Sequence, residues 1–82
     1  MLIERRKTHG PYHEHANCTQ NLLATAMDQQ NWDELSNTRK EALHMIFHKI
    51  GRILTGDPNH LDHWDDIMGY TYLIVKEIHE SA

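Results

Sequence analysis

The sequence predicts an all-α domain of three helices, the second and third paired as an antiparallel hairpin. Three observations lead there. Apolar residues recur three and four positions apart along almost the whole chain, the period of an amphipathic helix. Gly10-Pro11 and Gly56-Asp57-Pro58 punctuate that pattern as turn and helix-stop signals do. No alternating strand pattern, Asn-Gly or Asp-Gly hairpin, repeat or low-complexity tract competes with it.

Met1-Leu2-Ile3 with Glu4-Arg5-Arg6-Lys7 reads as a short solvated segment before the Thr8-His9-Gly10-Pro11 turn. Helix 1 is expected over about 11–29, with Pro11 at its first position, where a missing N–H costs nothing. Tyr12, Ala16, Thr19, Leu23, Ala26 and Met27 fall on one face, while Glu14, Asn17, Asn21 and Asp28 lie opposite. Cys18 projects away from that stripe, and His9, His13 and His15 share no face and read as surface or loop residues. A polar stretch around Trp32 follows. Helix 2 is expected over about 37–55, capped by Ser36, with Thr38 to Glu41 as an alternative capping box. Leu43, Ile46, Phe47, Ile50, Ile53 and Leu54 form its stripe. Glu41, Met45, His48 and Arg52 lie opposite, flanked by His44 and Lys49. Helix 3 is expected over about 60–79. Trp64, Ile67, Met68, Ile74, Val75 and Ile78 form its main apolar face, and Asp62, Asp66, Gly69 and Leu73 a second row.

Eighty-two residues allow one domain and one core. A chain this short buries a modest share of its surface, and it has no staples, since one cysteine forms no internal disulfide and no CxxC is present. Helix 3 carries apolar residues on nearly every side, more than two neighbours with single stripes cover. The chain is therefore expected to pair with itself, as a dimer or higher oligomer, with an interface near Gly69. Twelve acidic residues against eight basic ones give a net charge of −4, which argues against a nucleic-acid partner. No run is long enough for a membrane span or secretory leader. A cytoplasmic setting is the default expectation.

Asp62, Asp65 and Asp66 stand at i, i+3 and i+4, so their carboxylates cluster within one helical turn. Three readings compensate their repulsion: the positive end of the helix dipole, a hard divalent cation such as Mg2+, or Lys49 and Arg52 from helix 2. With helix 3 running back along helix 2, the start of helix 3 lies beside the late end of helix 2. His48, Lys49 and Arg52 then face the aspartates across a groove where cations bind phosphate and carboxylates hold a metal that bridges it. His44 and His48, at i and i+4, together with His60 and His63, give a second possibility, a tetrahedral Zn2+ site.

The segments Lys40-Glu41-Ala42-Leu43-His44-Met45-Ile46-Phe47-His48-Lys49-Ile50-Gly51-Arg52-Ile53-Leu54, Gly56-Asp57-Pro58-Asn59 and Asp62-His63-Trp64-Asp65-Asp66-Ile67, with Gly69-Tyr70 and the Thr8-His9-Gly10-Pro11-Tyr12 turn, resemble a family of small phage and prophage proteins of uncharacterised function. The likeness spans roughly residues 4 to 76; Thr71 stands where that family has alanine. The family in turn distantly resembles the MazG-like all-α nucleoside triphosphate pyrophosphohydrolases. The resemblance implies a dimer or tetramer with Mg2+ held by an ExxE pair on one helix and an ExxD pair on the next. The ExxD element is matched by Asp62 with Asp65 or Asp66. The ExxE element is broken, because His44 stands three residues after Glu41. A site with fewer carboxylates holds Mg2+ more weakly, yet Lys49 and Arg52 remain to bind a nucleotide.

Three readings result. The first is a phage-encoded, non-catalytic oligomeric protein that binds a nucleotide or a host protein during infection. The second is a Mg2+-dependent pyrophosphohydrolase, with Glu41, Asp62, Asp65 and Asp66 as the candidate metal ligands and a metal-bound water as nucleophile. The third is a zinc-stabilised structural module.

Overall fold

The computed structural model describes residues 10–81. The expected solvated segment 1–7, and Thr8 and His9 of the turn motif, lie outside the described residues. Three α-helices follow one another: α1 (Tyr12–Met27), α2 (Asn37–Thr55) and α3 (Leu61–Ser81). No strand occurs among the described residues.

Local chemistry sets the ends of these helices. Pro11 is the N-cap of α1 rather than its first helical residue, in extended backbone and with no capping side chain. Its carbonyl accepts from His15 N–H at 3.1 Å. Ser36 caps α2 as expected, its hydroxyl accepting from Arg39 N–H at 3.3 Å. Helix α2 ends at Thr55, and the next five residues reverse the chain. Within them Asn59 N–H donates to Asp57 Oδ1 at 2.9 Å, an Asx turn that replaces lost helical bonds. Trp64 Nε1 donates to Pro58 O at 2.8 Å, tying the first turn of α3 to this reversal. Gly10 has φ +75°, and a Cβ there would collide with the Thr55 carbonyl, so the chain enters α1 against the end of α2.

The helices run antiparallel in succession. Arg39 meets Glu77 and Lys49 meets Asp66, each at 2.9 Å; as one partner advances along α2 the other recedes along α3. On the other side His15 meets His48 near the start of α1, while Leu23 and Met27 sit with Glu41 and His44. Both outer helices pack on α2 and make no contact with each other. The domain is an open layer, 45 × 26 × 17 Å, with α2 in the middle.

That layout rearranges the expected burial. In α1, Thr19 is buried and Leu23 half-buried, but Tyr12 and Met27 at the stripe's two ends are exposed. His15, expected at the surface, is 2% exposed. In α2, Ala42, Gly51 and Ile53 are buried, whereas Leu54 projects outward. Helix α3 differs most. Its side toward α2 carries buried His63 and half-buried Ile67, Tyr70, Ile74 and Glu77. Trp64, Met68, Val75 and Ile78, expected to face the core, are exposed. The reason is that among the described residues α3 packs against α2 alone, so only one of its apolar sides is covered.

Candidate functional site

Two polar clusters flank α2. The first lies between α2 and α3. Lys49 is mostly buried, and its Nζ reaches Asp66 Oδ2 at 2.9 Å. Asp66 is one turn after Asp62, and Arg52, half-buried, is three residues after Lys49; the Lys49–Asp66 pair is the ion pair that joins the two helices here. Asp62 lies 3.8 Å from His60 Nε2, and Asp65 is exposed. The His60 and His63 rings touch edge to face, with centroids 4.6 Å apart.

The second cluster lies between α1 and α2. His15 Nε2 and His48 Nδ1 are hydrogen-bonded at 3.3 Å, and Thr19 Oγ1 with His15 Nδ1 at 3.5 Å. The His44 ring stacks obliquely on His48, centroids 4.9 Å apart. Three imidazoles thus form a row from the buried seam to the surface. Gly51 makes the approach possible, since a Cβ on it would come within 2.8 Å of both Thr19 Oγ1 and His15 Nδ1. Burial, then the nearby His44, Arg52 and Lys49, hold the His48 pKa below its ordinary value, with Glu41 opposing. The neutral imidazole is the favoured form here.

The expected metal and phosphate residues therefore divide between two places. Lys49 and Asp66 meet across the α2/α3 seam, Asp62 is exposed beside His60, Arg52 acts on His48, and His48 leans toward α1. Glu41 stands eight residues before Lys49, about 12 Å along the helix axis, and pairs with His44 Nδ1 at 3.3 Å. It borders an open depression of about 330 Å3 with Leu23, Trp32 and Lys40. One chain does not bring Glu41 to the aspartates. Nor do the four histidines of the zinc reading converge; His44 and His48 join His15, and His60 and His63 stay together. Among the described residues no three His, Cys, Asp or Glu side chains are arranged to hold a metal ion.

Sequence reasoning missed His15 and Gly51. The signal was present, because His15 lies three residues after Tyr12 and four before Thr19, on the edge of the α1 stripe. An imidazole on a packed face is easily passed over, since burying it requires partners that only the fold supplies.

No protein-family model, no curated protein and no solved structure matches this chain. Among the described residues no helix is long and apolar enough to cross a membrane.

Proposed function

We propose that the protein is a phage-encoded, non-catalytic binding protein that takes the phosphate groups of a nucleotide at the α2/α3 seam. The observation that supports this reading is the 2.9 Å approach of Lys49 to Asp66, with Arg52 one turn further along α2. A lysine held against a carboxylate in a partly buried groove is poised to exchange that partner for phosphate. The displaced Asp66 carboxylate, with Asp62 one turn before it, then faces a Mg2+ carried in with the nucleotide. Glu41 lies too far along α2 to join those ligands within one chain, so this reading is favoured over the hydrolytic one.

Calorimetric titration with nucleoside mono-, di- and triphosphates, with and without Mg2+, tests it. Losing a charge-assisted hydrogen bond costs about 1.5–3 kcal/mol, so Lys49→Ala should weaken binding by roughly 10- to 100-fold. Asp66→Asn should weaken only the Mg2+-dependent part. Equal affinity for wild type and Lys49→Ala, or no heat from any nucleotide at millimolar concentration, rejects the groove.

A further inference from the structure

We infer that the outer side of α3 is the surface on which a second copy of this chain docks, as an antiparallel helix pair about a twofold axis beside Gly69 and Tyr70. Leu61, Trp64, Met68, Thr71, Val75 and Ile78 follow one another at spacings of three, four, three, four and three. That is the a/d repeat of a helix seam that pairs with another helix. It runs for about 26 Å on a side that α2 leaves uncovered, and every member is exposed, the large apolar ones from Val75 at 44% to Met68 at 70%. No charged residue interrupts it.

The two polar members have their hydrogen-bonding groups satisfied inside the chain. Trp64 donates its indole N–H to Pro58 O at 2.8 Å, and Thr71 donates its hydroxyl to Ile67 O at 2.8 Å. What they offer outward is the ring face and the methyl group. A tryptophan so held is a rigid anchor for an interface. Six side chains of this size leave several hundred Å2 open in one strip. That is more than a monomer ordinarily exposes contiguously and is comparable to the roughly 800 Å2 that each partner brings to a standard stable interface.

Polarity selects the direction. In this repeat Asp65 and His79 flank the two ends of the seam, whereas Asp66 lies against Lys49 of α2 and Lys76 pairs with Glu80. A parallel pair sets Asp65 beside the partner's Asp65. An antiparallel pair sets it toward the partner's His79 and opposes the two helix dipoles favourably. In that register Leu61 layers with the partner's Ile78, Trp64 with the partner's Val75, and Met68 with the partner's Thr71, so one stripe is complementary to itself, as a twofold interface requires. The nucleotide reading plays no part in this inference.

Light scattering at micromolar concentration should give twice the chain mass of 9.7 kDa. The double variant Met68→Glu, Val75→Glu should return it to one chain mass with helical circular dichroism retained, since neither side chain faces α2. In a Cys18→Ser background, Leu61→Cys combined with Ile78→Cys should give covalent dimers on mild oxidation, and Leu61→Cys alone should not. The cysteine pair decides the matter if the charged variant fails to fold. A wild-type mass of 9.7 kDa, a dimer that survives both glutamates, or cross-linking by Leu61→Cys alone overturns the inference.

Discussion

Gly51 illustrates how one residue sets the distance between two helices. Glycine inside a helix costs roughly 0.5–1 kcal/mol relative to alanine, so propensity alone favours Gly51→Ala. Geometry opposes it: the new methyl would lie 2.7 Å from Thr19 Oγ1 and 2.8 Å from His15 Nδ1. Both neighbours are buried and hydrogen-bonded, and neither is the free end of a flexible chain. Overpacking of this kind costs about 1–3 kcal/mol and should exceed the propensity gain. Urea denaturation is expected to show Gly51→Ala with a lower midpoint than wild type. A higher midpoint would mean that α1 moves aside without loss.

Between elements, α2 meets its two neighbours in different ways. Toward α3 it uses half-buried apolar side chains and the ion pairs at Lys49 and Arg39. Toward α1 it uses imidazoles, and this seam is expected to respond to pH. The folded-state pKa of His48 is depressed, mainly by burial, whereas the unfolded chain titrates near 6.5. The folded form binds fewer protons, so the stability that neutral His48 contributes is complete above about 6.5 and is lost as pH falls toward its lowered pKa. His44 stacks on it and His15 bonds to it. The urea midpoint should fall between pH 7.5 and pH 5.5, and His48→Gln should flatten that fall. Identical slopes for the two proteins would assign the pH response to other groups. The elements were legible in the sequence, because period and caps act locally. Helix α2 occupies the residues expected of it, 37–55, and α1 and α3 differ at their ends by one or two residues. Which side of α3 turns inward was not legible. Apolar residues lie on more than one side of it, and among the described residues only α2 packs against it, so one side is chosen by tertiary packing alone. The facing of Lys49 and Asp66 followed from the hairpin topology. The separation of Glu41 from that pair follows from its distance along a helix whose length was already legible.

The described residues form a layer one helix deep, and such a layer need not open all at once. Helix α2 is flanked on both sides. Helix α3 is held by α2 and, in the dimer inferred above, by a second copy. Helix α1 has the weakest hold: no side chain caps its start, Tyr12 and Met27 at its ends are exposed, and its central contacts are polar. Cooperative units of unequal stability exchange amide hydrogens at unequal rates. Deuterium uptake should therefore rank α1 fastest and α2 slowest, with α1 accelerating further below pH 6 while α2 and α3 keep their protection. Uniform uptake across the three helices would mean that the layer opens as one unit. If α1 does detach first, the uncovered side of α2 presents His44, His48 and Gly51 to solvent together. The protein would then present on acidification a polar strip of imidazoles that its resting shape covers.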